Sequence, residues 1–164
     1  NKLLEVCNSL SDNEELIVCG RNGEWLNELN KPNICYKGYV DSKKHDEIAE
    51  ECDFGLIMYP DTGYYRYVTP SKLNVYISLN LPVLAITNLT LKKLFETYKV
   101  GKCVSEAEFL STFRKWCDEK EYRDYQRIYE ETDFQHFDHN NIGHNAIVFI
   151  WADRRTGPSA GSGA

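Results

Sequence analysis

Short apolar runs recur along the chain, set off by polar and turn-forming residues, and their lengths predict alternating strands and helices. Residues 16–19 read as a first strand ending at Gly20, and residues 33–40 as a second running into a loop at Gly38. Residues 54–58, 83–87 and 101–104 read as a third, a fourth and a short fifth strand. The runs 53–58 and 81–86 are nearly continuous in apolar residues rather than alternating. That pattern marks strands buried on both faces of a parallel sheet. Between them, patterns of helical period predict helices over 41–52, 70–80 and 90–98, and another opening at Ser105. Glu108 stands three residues after Ser105, as in a capping box, and Phe109, Leu110, Phe113, Trp116 and Cys117 follow at helical spacing. Residues 122–137 are polar, aromatic and helical in pattern, whereas 142–151 hold a last apolar run whose type the pattern leaves open. Strands alternating with helices predict an α/β fold: a parallel sheet with right-handed crossovers and helices on both faces.

Length and composition narrow this picture. The 164 residues suit one domain, with 42% hydrophobic and 27% charged residues, ordinary proportions for a globular protein. Residues 1–140 form the expected domain, 141–156 a segment of open type, and 157–164 a Gly/Ser-rich tail with the composition of a linker. The opening Asn1-Lys-Leu-Leu has no initiator methionine, so the chain is expected to be part of a longer protein. A net charge of −6 with no basic stripe argues against nucleic acid as a partner. No apolar run approaches the ~20 residues that span a bilayer. Six cysteines are scattered without a Cys-x-x-Cys pair, and Cys19, Cys35, Cys52 and Cys103 fall in or beside predicted strands. Reduced thiols acting as small core residues, in a cytoplasmic protein, are therefore expected rather than a disulfide framework.

The segment from Tyr59 to Thr87 carries the most chemistry. It places a polar aromatic loop and then a helix start directly after a central strand. In Thr69-Pro-Ser-Lys72, Thr69 can cap and Pro70 suits the first helical position. The helix that follows is apolar nearly all round, through Leu73, Val75, Tyr76, Ile77 and Leu79, and is expected to be wedged against the sheet. Lys72 and Ser71 lie in its first turn, where amides and the helix dipole receive anions at the carboxyl end of a strand. The preceding loop, Asp61-Thr-Gly-Tyr-Tyr-Arg-Tyr-Val68, carries three tyrosines and an arginine suited to stacking and hydrogen bonding. A solvated lysine at an ordinary helix start, and an aromatic loop that merely covers a sheet edge, are the plain alternatives.

The stretch Tyr65-Arg-Tyr-Val-Thr-Pro-Ser-Lys-Leu-Asn-Val-Tyr-Ile-Ser-Leu-Asn-Leu-Pro-Val-Leu84 resembles a signature of GT-B glycosyltransferases, a Pro-x-Lys-Leu helix followed by a small-residue turn and Pro-Val. It is most similar to bacterial β-1,6-galactofuranosyltransferase-like proteins and to the glucosyltransferases that modify serine-rich adhesins. Lys37-Gly-Tyr-Val40 looks like the family's turn after the second strand, and Asp53-Phe-Gly-Leu56 like the strand before the donor loop. The matches span about residues 15–110 in the family's order.

The resemblance implies the Rossmann-like, C-terminal half of a GT-B fold, which binds a nucleotide sugar while an N-terminal half binds the acceptor. The implied donor is a UDP-sugar, with no cofactor and no metal. The partners implied are that UDP-sugar and the acceptor-binding half. A homo-oligomer is left open, and any peripheral membrane association would come through the full-length protein. By the same resemblance Lys72 would contact the diphosphate and the amides of Ser71 and Lys72 would cradle it. Thr69 would cap the helix and approach the phosphates, and Tyr39 and Val40 would lie near the base. Residues 61–67, with Tyr65, Arg66 and Tyr67, would line the sugar or pyrophosphate. The implied activity is hexosyl transfer to a glycan or protein in bacterial polysaccharide biosynthesis, by the whole enzyme and not by this piece alone.

Two departures stand out. The glutamate that holds the ribose in many GT-B enzymes falls on Val75, and the turn glycine before Pro82 is Asn80, a residue that tolerates the left-handed region. The first leaves ribose recognition unassigned and keeps open a non-catalytic interaction module. No general base is evident. Asp53-Phe-Gly lacks the Gly-rich loop and His-Arg-Asp segment of a kinase. His136, Asp138, His139 and His144 could hold zinc or simply end a polar helix. Asn88-Leu-Thr90 is a glycosylation sequon by pattern only.

Overall fold

The computed structural model describes residues 1–134 and 147–151. Six strands, β1 (Glu15–Cys19), β2 (Ile34–Gly38), β3 (Phe54–Ile57), β4 (Val83–Ile86), β5 (Gly101–Val104) and β6 (Ile147–Trp151), form one sheet in the order β2-β1-β6-β3-β4-β5. The helices are α1 (Lys2–Ser9), α2 (Ser42–Ala49), α3 (Ser71–Ser78), α4 (Leu89–Tyr98), α5 (Glu106–Glu119) and α6 (Arg123–Glu131). Pairs β1–β2, β3–β4 and β4–β5 are parallel, so the fold is the expected Rossmann-like α/β arrangement. The apolar run of open type contributes β6, which lies antiparallel between β1 and β3. Residues 142–146 of that run, and the histidines at 136, 139 and 144 with Asp138, lie outside the described residues.

Strand alternation divides the core in two. Ile17, Ile57, Val83, Ala85 and Phe149 face α2, α3 and α4, whereas Leu16, Val18, Phe54, Leu56, Leu84 and Ile150 face α1 and α5. On the second face Phe54 meets the edge of Trp116 at 5.0 Å between ring centroids. α5 starts with the capping box read from Ser105 and Glu108. α1 was not evident in the sequence pattern, because only Val6 and Cys7 of its residues are buried. It is fixed instead through Arg114 on α5, which donates to the Ser9 carbonyl at 2.9 Å and grips the buried Glu14 carboxylate at 2.7 and 2.8 Å. Among the described residues no helix is long and apolar enough to cross a membrane, and all six cysteines are free thiols.

Tyr76 explains both Gly55 and the centre of the sheet. Its ring lies on β3, where a Cβ on Gly55 would come within 2.4 Å of the ring. The Asp53-Phe-Gly triplet therefore serves packing. The Tyr76 hydroxyl shares its proton between the Leu56 and Val148 carbonyls, both at 3.0 Å, and accepts the Val148 N–H at 3.0 Å. The β3–β6 ladder stops at this point, Leu56 opposite Val148, while β1 stays paired with β6 as far as Cys19 and Ile147. The two central strands thus end unevenly at the carboxyl edge, which is where an open α/β sheet receives ligands.

Candidate functional site

β3 delivers Met58 and Tyr59 to the carboxyl edge, a short 3-10 turn (Gly63–Tyr67) follows, and α3 begins at Ser71. α3 is wedged as its composition dictates: Leu73, Val75, Tyr76 and Ile77 are all fully buried. Its start differs from expectation. Pro70, with φ −62 and ψ 131, is the N-cap rather than the first helical residue, and its side chain makes no capping hydrogen bond. Thr69 is therefore two residues from the first helical position and exposed, so the capping role assigned to it is corrected. The pyrrolidine, which fixes φ but permits an extended ψ, sets the helix start one residue later.

Lys72 is 9% exposed. Its Nζ lies over the Tyr59 ring, 4.6 Å from the centroid, and Tyr65 stacks parallel on that ring at 4.8 Å with an interplanar angle of 9°. Burial lowers the Lys72 pKa to about 8, because desolvation disfavours the ammonium. Burial also raises the Tyr59 phenol to about 12, helped by Tyr65. The Tyr59 hydroxyl is buried and has no hydrogen-bond partner among the described residues. A desolvated lysine beside an aromatic stack at a helix start can hold an anion more strongly than an exposed one, since the competing water is already gone.

The remaining loop residues are solvent-facing: Tyr64 is 77% and Tyr67 68% exposed, and Arg66 pairs with Asp61 at 3.6 Å. Asn88, the N-cap of α4, donates through Nδ2 to the Tyr65 and Val68 carbonyls at 2.9 and 3.1 Å. Its burial also removes the sequon reading, since the amide nitrogen is already engaged.

On the neighbouring strands, Gly38 adopts φ 66 at the end of β2. Tyr39 is exposed and carries the Arg21 guanidinium 5.6 Å from its ring centroid, whereas Val40 packs against the core. The structure thus joins Tyr65 to Lys72 through Tyr59, sets Ser71 beside them in sequence, and leaves Tyr39 with Arg21 on the β1–β2 side. Sequence reasoning did not assign Tyr59, Arg21 or Asn88. Tyr59 could have been found as the first polar-capable residue past the β3 apolar run, and Asn88 as a favoured cap residue ahead of a helical pattern. Val75, the position at which the resemblance would place a ribose-holding glutamate, is fully buried in the core. Among the described residues no group of His, Cys, Asp and Glu could hold a metal ion.

A six-stranded, mostly parallel sheet with helices packed on its two faces places the chain among Rossmann-like α/β domains. It belongs to the family described as "Glucosyltransferase 3-like, C-terminal domain", which matches residues 3–135, and this ties it to the glycosyltransferases. No curated protein and no solved structure gives a significant match.

Proposed function

We propose that this chain is the donor-binding domain of a bacterial, cytoplasmic GT-B glycosyltransferase, and that it binds a UDP-sugar from which the whole enzyme transfers a hexose. The observation that carries this reading is the buried Lys72 at the start of α3, covered by the Tyr59–Tyr65 stack. It lies within the region that matches the glucosyltransferase family. Diphosphate oxygens reaching the α3 start would meet the Lys72 ammonium, the first-turn amides and the positive end of the helix dipole. These groups are in place before reaction, so they stabilise charge as it grows on the leaving diphosphate without reorganisation. Under this reading Tyr39 and Val40 would lie near the base, and Tyr65, Arg66 and Tyr67 would line the sugar or pyrophosphate. Acceptor activation belongs to another part of the enzyme.

Calorimetric titration with UDP, with ADP and GDP as controls and chelator in the buffer, tests this reading. Preferential UDP binding is expected; equal affinity for all three, or none, would remove the donor assignment. A second reading, a non-catalytic interaction module, is favoured by one observation: Val75 contributes to the core and offers nothing to a ribose. It predicts no nucleotide binding in the same titration.

A further inference from the structure

A helix cap requires only an acceptor. Ser, Thr and Asp provide one as well as Asn does. At the start of α4 the acceptor is Asn88 Oδ1, which takes the Leu91 N–H at 2.7 Å. What only an amide can add is the pair of donated bonds, from Nδ2 to the Tyr65 carbonyl at 2.9 Å and to the Val68 carbonyl at 3.1 Å. The side chain is 4% exposed, so little water competes for these bonds. Thr90, in the same turn, donates from its hydroxyl to the Tyr67 carbonyl at 3.2 Å. The loop is otherwise exposed from residue 61 to 67, and Gly63 bends it with φ 53. Its backbone is therefore tied to α4 while most of its side chains are exposed to solvent. The Tyr65 ring stacks on Tyr59, and Tyr59 carries the Lys72 ammonium. One buried carboxamide thus joins the α4 start to the environment of Lys72.

We propose that Asn88 is the positioning residue of the 61–68 loop, holding Tyr65, Arg66 and Tyr67 in the arrangement that distinguishes a nucleotide sugar from the bare nucleotide. This rests on the donor-binding reading given above. Asn88 touches no ligand itself; it acts through the Tyr65 and Val68 backbone. Its loss should be felt by the sugar end of the ligand more than by the diphosphate, because Lys72 and the α3 amides remain in place.

Asn88→Ser keeps an acceptor for the Leu91 amide and removes both donated bonds. Asn88→Asp keeps the shape and the acceptor and also removes them. Three measurements on the full chain test the assignment. Hydrogen exchange at the Leu91 amide reports the cap and should stay protected in both variants. Trypsin cleavage after Arg66, referenced to the other basic sites, reports the loop and should accelerate about tenfold when two hydrogen bonds are lost. Affinity for UDP-glucose should fall by about tenfold, with that for UDP changed much less. Unchanged cleavage in both variants would overturn the tether, whatever the ligand data show. Equal weakening of UDP and UDP-glucose would overturn the sugar-discriminating role. If the unaltered chain binds neither ligand, the donor reading falls and the role falls with it, while cleavage after Arg66 still decides whether Asn88 holds the loop.

Discussion

The Lys72 ammonium lies 4.6 Å from the centre of the Tyr59 ring, and the cost of its burial shows in a pKa lowered to about 8. A core of this kind usually holds leucine or methionine at such a position. A lysine there reduces stability, a cost that the donor-binding proposal explains by a charge kept for the diphosphate.

Replacing Lys72 separates these two effects. Lys72→Met keeps an unbranched side chain, one atom shorter, that can pack on Tyr59, but removes the charge. The melting temperature should stay the same or rise, because a desolvation penalty disappears. UDP affinity should fall about tenfold or more, the usual loss when a charge-assisted hydrogen bond is removed. A variant that binds UDP like the parent would take Lys72 out of the site.

The pH dependence has a definite sign. The folded-state value of about 8 lies below the ordinary 10.5, so between them the unfolded chain holds more protons. Stability therefore rises with pH across that window, and the penalty is fully present below it. Compared with Lys72→Met, the parent should gain in urea midpoint as pH rises from about 8 towards 10.5. Affinity for UDP should decline over the same range as the ammonium is lost. Parallel urea profiles for the two proteins would show that Lys72 titrates normally.

Gly55→Ala should destabilise the fold through one contact. The added methyl would stand 2.4 Å from Tyr76 Cε1, on a strand and a ring that are both fully buried. Overpacking of this sort costs about 1–3 kcal/mol. An unchanged denaturation midpoint would mean that the ring can move aside.

Tyr76→Phe tests the fork at the centre of the sheet. It leaves the packing in place but removes the bonds that the hydroxyl makes with the Val148 N–H and the Leu56 and Val148 carbonyls. Each buried hydrogen bond lost costs about 1 kcal/mol. Faster hydrogen exchange at the Val148 amide is the specific sign, and unaltered protection there would contradict the assignment.

The regular elements were legible because their causes are local. The strand runs, the Ser105 capping box, the left-handed Asn80 with φ 56, and the apolar α3 all follow from residue type and spacing. The start of α3 was displaced by one residue because Pro70 satisfies either of two positions, and only packing decides between them. β6 could not be typed from its sequence, since a short run buried on both faces has no periodicity to distinguish strand from helix. Its antiparallel direction depends on pairing with β1 and β3, which are distant in the chain. Of the candidate site, Lys72 and the aromatic loop were legible. Tyr59 and Asn88 were not, because their importance comes from what they touch: a ring beneath an ammonium, and two carbonyls more than 15 residues away in sequence.

The placement of β6 also governs how the polypeptide can be assembled during synthesis. Without residues 147–151, the order β2-β1-β6-β3-β4-β5 separates into a two-stranded and a three-stranded half. The facing edges of β1 and β3 then have no partner, and unpaired edges invite association with other chains. The nascent protein holds the β1 and β3 edges open until residues 147–151 have been made. The closing step is a long-range pairing, the slow kind, and it waits for β6, the last in chain order of the six described strands.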